Sequence, residues 1–455
     1  MSKRAMRVVL VAVLAAAMFV AGGIGLFKAV GTGEGNPPSG SAQAASDQAA
    51  RAAAAAAQPL LPGAPLAQQI QSLQLRLKAF PKDWRSWADL GLAYVQQARV
   101  TADPSFYPKA DGALRRSLAL QPAGNLDAAT GMAALTAARH DFAGALIWGR
   151  TGEAIGPENA NIHAITGDAL VELGRYPEAF AEFQKAVDLK PDLATYSRGS
   201  YALELQGSVE NAQRAMELAL SAAASPADQA WTNNQLGELA FNRGDLGAAR
   251  RCYELATRSD ATFVPPHAGL AKVEAAGGKL DDAIRDYSSV VERFPLPEYV
   301  IALHDLYQVD GQTSLAAREY GLLRVEEQLF RSNGVNMDLE IAQYDADHGV
   351  DLAAGLATAH AEWARRQAIN VADALAWELY ANGRAAEALP YANRALALGT
   401  RNALFFFHRG MIEKALGEAP AAQVDLRTAL SINPAFSTLW SKTAADTLAV
   451  LGAQS

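Results

Sequence analysis

The 455-residue sequence predicts an all-α fold, an α-solenoid of about ten helical hairpins behind an N-terminal transmembrane helix. Three observations predict it. Glycines recur about every 34 residues, alanine supplies 97 of the 455 residues, and residues 8–27 form an apolar run without a charge.

The glycines at 174, 207, 244, 278, 311, 349, 383 and 417 are separated by 33 to 38 residues. Five residues after each stands an alanine: Ala179, Ala212, Ala249, Ala283, Ala316, Ala354, Ala388 and Ala422. Seven residues further come Ala186, Ala219, Ala256, Ala361, Ala395 and Ala429, with Val290 and Leu323 in the other two places. Before each glycine runs a stretch with helical apolar spacing, as in Ile162, Ile165, Ala169, Leu170 and Leu173. The glycine supplies the left-handed backbone that ends a helix. The helix after it turns small residues inward at i and i+7, so two backbones approach closely. Pro122, Pro157, Pro191, Pro295 and Pro434 stop several of these second helices.

This pattern resembles the tetratricopeptide repeat. The first unit carries Trp87, Leu90, Gly91, Tyr94, Ala110, Leu114 and Pro122; the third carries Gly167, Leu170, Ala179, Phe183, Ala186 and Pro191. The last carries Gly410, Gly417, Ala422, Leu426, Ala429 and Pro434. Ten units align, starting near residues 84, 126, 160, 193, 230, 264, 297, 335, 369 and 403. The match is weakest in the second unit, where His140 replaces the hairpin glycine, and in the eighth, where Thr358 replaces the aromatic. The resemblance implies a right-handed superhelical array over residues 84–435. A capping helix is expected over 67–83, through Ile70, Leu73, Leu77 and Phe80. A second is expected over 436–455, through Leu439, Trp440, Leu448 and Leu451.

The N-terminus reads as an address. Lys3, Arg4 and Arg7 occupy the basic flank 1–7, and the apolar segment, bounded at 8–28, is long enough at about 1.5 Å per residue to cross a bilayer. A secretory signal has a shorter apolar core, so a retained anchor is expected, with secretion after cleavage as the alternative. The flanking charges place residues 1–7 in the cytoplasm and the array outside. Residues 29–66, rich in Gly, Ser, Ala, Gln and Pro, read as a flexible tether. Eleven lysines against 29 arginines match the coding bias of a GC-rich bacterium, which fits a bacterial membrane-anchored or exported type.

Composition excludes several functions. Residues 67–455 hold 35 basic and 46 acidic groups, a net −11, the wrong sign for a nucleic-acid surface. The single Cys252 cannot form an internal disulfide. The seven histidines (His140, His163, His267, His304, His348, His360 and His408) include no pair at ligand spacing. There is no phosphate loop and no nucleophile elbow, so neither catalysis nor a cofactor or metal is expected.

The resemblance implies that the first helix of each unit lines a concave face that holds a partner peptide or helix. The inward positions carry Tyr201, Trp231, Phe241, Trp377, Tyr380 and Phe407, interleaved with Asp168, Glu172, Glu204, Glu238, Asp305, Asp347 and Asp373. Basic residues there are few: Arg85, Lys272 and Lys414. Asn234 and Asn242 are present without the lysines that grip a C-terminal carboxylate in some family members, which speaks against that ligand. Aromatic anchors in an acidic trough suit a segment with apolar and Arg/Lys side chains. Any one aromatic also reads as inter-repeat core, and the acids as a solvated face. The stretch Arg99–Lys109, with Pro104, Phe106, Tyr107 and Pro108, is expected to interrupt the first hairpin, as a second contact site or tucked onto its own repeat. The function expected is a membrane-tethered, non-enzymatic scaffold or adaptor, with an exported chaperone or carrier as the alternative.

Overall fold

The computed structural model describes residues 65–453, which form 22 helices and, among themselves, no strand. A lone α1 (Leu66–Ala79) is followed by ten hairpins. The first four pair α2 (Trp84–Thr101) with α3 (Phe106–Leu120), α4 (Leu126–Ala138) with α5 (Phe142–Ile155), α6 (Ala160–Glu172) with α7 (Tyr176–Leu189), and α8 (Leu193–Leu205) with α9 (Val209–Ser221). The next three pair α10 (Pro226–Asn242) with α11 (Leu246–Ser259), α12 (Pro265–Ala276) with α13 (Leu280–Arg293), and α14 (Pro297–Val309) with α15 (Thr313–Ser332). The last three pair α16 (Asp338–His348) with α17 (Leu352–Arg365), α18 (Ile369–Ala381) with α19 (Ala385–Ala395), and α20 (Ala403–Ala415) with α21 (Ala419–Ile432). A final α22 (Ser441–Ala453) covers α21. The expected anchor 8–28 and nearly all of the tether 29–66 lie outside the described residues. Among the described residues no helix is long and apolar enough to cross a membrane.

Each hairpin closes on small residues. Ala179, Ala212, Ala249, Ala283, Ala316, Ala388 and Ala422 are all buried where the second helix meets the first. The partner helix makes room in turn. Tyr253 of α11 lies between Gly237 and Gly269, and a Cβ at Gly269 would stand 2.5 Å from its ring. Side chains of Asn125, Asp141, Asn159, Asp192, Ser225, Asp245 and Asn402 accept from backbone N–H groups in the first turns they precede, satisfying donors the helix cannot.

Two units depart from the pattern. In the second, His140 takes the left-handed backbone (φ 60°) that glycine supplies elsewhere. In the eighth, the turn holds one more residue, because both Gly349 and Asp351 are left-handed. That shifts the register of α17 by one. Ala354 and Ala361, expected inside, are exposed, while Gly355, Ala359 and Glu362 face the core. Ala359, not Thr358, therefore occupies the aromatic's place. The Arg99–Lys109 stretch is no separate loop. It lengthens α2 to Thr101 and opens α3 at Phe106, with a turn between them at the left-handed Ala102. Phe106 packs on Tyr94 at 5.8 Å and Tyr107 is buried, so the insertion folds onto its own repeat.

The array winds far enough to touch itself. Hairpin turns of units two to five meet segments almost 200 residues later, about six units along. His140 Nδ1 lies 2.6 Å from the Asn336 carbonyl, and the Asn336 N–H donates to the Arg139 carbonyl at 3.2 Å. The Ile369 N–H donates to the Tyr176 hydroxyl at 2.7 Å, and the Asn433 amide to the Phe241 carbonyl at 2.8 Å. Gly207 (φ 70°) abuts the Gly399 carbonyl so closely that any Cβ would collide with it. At the centre of this seam the buried Arg366 pairs with Glu172 and Glu362, its guanidinium 4.9 Å from the Phe142 ring centroid. Leu170, Val171 and Tyr176 share one apolar cluster with Ile369 and Ala372.

Candidate functional site

Four of the candidate residues come together on neighbouring first helices. Tyr201 and Glu204 of α8 and Trp231 and Glu238 of α10 line one narrow cleft of about 30 Å³, with Ser197, Ser200, Met216, Gln235 and Leu239. Trp231 is only 5% exposed and forms the floor. Tyr201, Glu204 and Glu238 are half-buried at its walls. Glu238 accepts from the Tyr253 hydroxyl at 2.7 Å and from the Lys272 ammonium at 2.6 Å. Lys272 in turn stands 4.3 Å from the centroid of the Phe241 ring. Burial pushes the Glu204 carboxyl above its usual range; the Asn242 amide, donating at 3.2 Å, opposes the rise and the nearby Glu238 charge adds to it. The cleft thus offers hydroxyls, two carboxyls and an aromatic floor.

Phe241 (6% exposed) is packed among Ala240, Ala249, Tyr253 and Val273. Trp377 (4%), Phe407 and Asp373 are also buried, and Tyr380 is half-buried. Trp377 stacks between Tyr380 at 4.7 Å and His408 at 4.1 Å. Phe436 and Trp440, which lead into α22, close over Phe407 and Trp377. The indole N–H groups of Trp377 and Trp440 both donate to Asp347 Oδ1 at 2.8 Å, while Asp373 holds His408 Nδ1 at 3.0 Å. In the last units the C-terminal segment itself covers these aromatics. No periodicity could reveal that, since Trp440 stands 93 residues from Asp347.

The interior is acidic. Burial raises Glu298 to about 8, with the Glu340 charge adding to it, and raises Glu340 to about 7, where Arg366 opposes the rise and Glu362 adds to it. Glu238 presses Glu298 in the same direction and Lys272 opposes it. Burial raises Glu326 to about 9, with Glu298 adding to the effect. The half-buried Cys252 thiol is likewise pushed up by burial, so it is a poor nucleophile.

Asp305 stands apart from the other candidates, in the seventh unit. His348 Nε2 lies 3.1 Å from its Oδ1, and His304 packs edge-on against His348 at 4.7 Å. These three sit beside a cleft of about 400 Å³ lined by Gln308, Thr313, Tyr320 and Tyr344. A search for histidines three or four apart along the chain misses them, because the two rings come from α14 and α16.

A family model described as tetratricopeptide repeat matches residues 123–194 and 234–296. Those two stretches are similar to tetratricopeptide repeats. Repeats of this kind generally mediate protein–protein interaction. The curated proteins yield no match. Among solved structures, the Cut9–Hcn1 hetero-tetramer of the APC/C is 15% identical over 90% of this chain and 88% of its own, with a TM-score of 0.42. The human IFIT1 dimer with PPP-AAAA is 16% identical over 70% and 73%, with a TM-score of 0.45. Yeast Tom70 is 12% identical over 85% and 92%, with a TM-score of 0.38. The second matched stretch takes in the end of α10 and all of α11, so Gln235, Glu238 and Leu239 of the cleft lie within it, while Tyr201, Glu204 and Trp231 lie outside.

Proposed function

We propose that this protein is a non-enzymatic scaffold or adaptor, tethered to the membrane through residues 8–27, that binds a partner segment on the face formed by α8 and α10. The observation that supports this most is the cleft joining Tyr201, Glu204, Trp231 and Glu238. An apolar side chain reaches the Trp231 floor, while a lysine or arginine beside it meets the Glu204 and Glu238 carboxyls. The remaining candidates, Phe241, Trp377, Tyr380, Phe407, Asp305 and Asp373, brace the units on either side. Tethering keeps the array, on the outer side of the membrane, close to partners that are themselves membrane-associated or exported.

A photo-crosslinking residue at Gln235, which lines the cleft, tests the reading in membranes. It should capture a defined partner, and Glu204→Gln with Glu238→Gln should slow capture and weaken its salt dependence. The same residue at the outward-facing, exposed Ile147 should not capture it. Equal capture from both positions would remove the cleft from the account. Topology is tested separately. A C-terminal reporter should report the outer side and the chain should sediment with membranes, whereas full-length chain in the soluble cytoplasmic fraction contradicts the tether.

A further inference from the structure

We infer that His304, Asp305 and His348 form a two-histidine, one-carboxylate site for a divalent transition-metal ion of the zinc class, joining α14 to α16. One ligand atom from each of the three lies within 4.8 Å of the other two. The closest edge, His348 Nε2 to Asp305 Oδ1, is 3.1 Å. Two ligands held about 2.0–2.1 Å from a tetrahedral zinc stand roughly 3.3 Å apart, so this edge is already near its bound length.

The histidine tautomer is set for the same purpose. His304 Nδ1–H donates to the Ala316 carbonyl at 2.8 Å, which leaves Nε2 with the lone pair, at present facing the Gln308 amide. A backbone carbonyl behind an imidazole is the outer-shell arrangement that orients metal-ligating histidines. His348 is the second independent sign. Its side chain is 3% exposed, and its Nε2 and Asp305 Oδ1 have no partner but each other, in a poorly aligned contact. Buried polar atoms are rarely left so, and an ion between them satisfies both.

Two neutral imidazoles and one carboxylate leave a divalent ion with a net charge of +1 and a free position toward the cleft. Gln308 and the Tyr344 hydroxyl now stand 2.8 and 3.3 Å from His304 Nε2 and turn aside as the ion enters. Gln308 is exposed and free to do so, and its amide oxygen or a water completes the shell. In the other cluster of ligating types, Glu153, His163 and Glu182, Glu153 Oε1 lacks a hydrogen-bond partner but the histidine has no lone pair to give. Both His163 nitrogens are used, by Glu182 at 2.7 Å and the Pro157 carbonyl at 2.9 Å, and Arg150 supplies the cation between the two glutamates.

Zinc chloride titrated into the chelator-treated, full-length chain should bind one ion per chain and raise its melting temperature. His304→Ala and His348→Ala should each weaken binding by about a hundredfold or more, the upper end of what losing an outer-shell partner costs. Substituting the exposed His360 by Ala should leave binding unchanged. Because either ligand variant removes a packed ring, X-ray absorption of the zinc-loaded, unmodified chain provides a test that needs no substitution. It should show two imidazoles with oxygen ligands at about 2.0–2.1 Å. Absence of stoichiometric binding, fewer than two imidazoles, or binding lost in His163→Ala and kept in His304→Ala would overturn the site.

Discussion

At the scale of single residues, the buried carboxyls dominate. Burial holds the proton on Glu298 to about pH 8 in the folded chain, whereas the carboxyl ionises near its ordinary value of 4.5 when unfolded. A carboxyl whose pKa rises on folding leaves the folded state binding more protons, so stability falls as pH climbs between those two values. Glu326, Glu340, Glu378 and Asp89, raised to about 9, 7, 8 and 7, act in the same sense. His140 opposes them on the acid side. Burial lowers it to about 4 from 6.5, so acid draws protons onto the unfolded chain over that range. The melting temperature should therefore peak on the acid side of neutrality and decline toward pH 8. Glu298→Gln should raise it at pH 8, change it little at pH 5 and flatten the slope between. An unchanged slope would mean that Glu298 is solvated in solution.

At the scale of elements, the hairpin register is the quantity to test. Ala388 is fully buried between α18 and α19, so Ala388→Phe should cost about 1–3 kcal/mol, read by denaturant unfolding. Ala354 sits at the equivalent place by sequence period but is exposed, so Ala354→Phe should fall within about 0.5 kcal/mol of the parent. A large loss at Ala354 would restore the unshifted register. This pair shows what a sequence displays and what it hides. A glycine-to-alanine spacing of five is legible because every hairpin needs a left-handed turn and a small contact residue. The extra residue in the eighth turn is hidden, since Asp351 reaches φ 45° without a glycine to announce it. The acidic wall of the cleft was legible too, from Glu204 and Glu238 on successive first helices. The burial of Trp377 and Phe407 was not, because it depends on how far Phe436 and Trp440 fold back.

At the scale of the whole molecule, repeat arithmetic describes neighbours only, and the contacts nearly 200 residues apart exceed it. The Arg366 guanidinium supports Glu172 from one turn of the winding and Glu362 from the next. Removing it in Arg366→Ala strands the buried Glu172 carboxyl, while Glu362 keeps Arg365, and should cost about 3–5 kcal/mol, detectable as lost cooperativity in thermal unfolding. Replacing all three by apolar residues of similar size should cost much less. The winding holds α8 and α10 at fixed curvature, and with them the cleft through which a partner would be read. Its most direct test is a distance between spin labels at Gln206 and Arg401, with Cys252 replaced by Ser. Both positions are exposed, and they flank the contact between Gly207 and Gly399. A short, narrow distance distribution that broadens in Arg366→Ala is the result predicted. A broad distribution centred several nanometres away in the parent chain would contradict the closed winding.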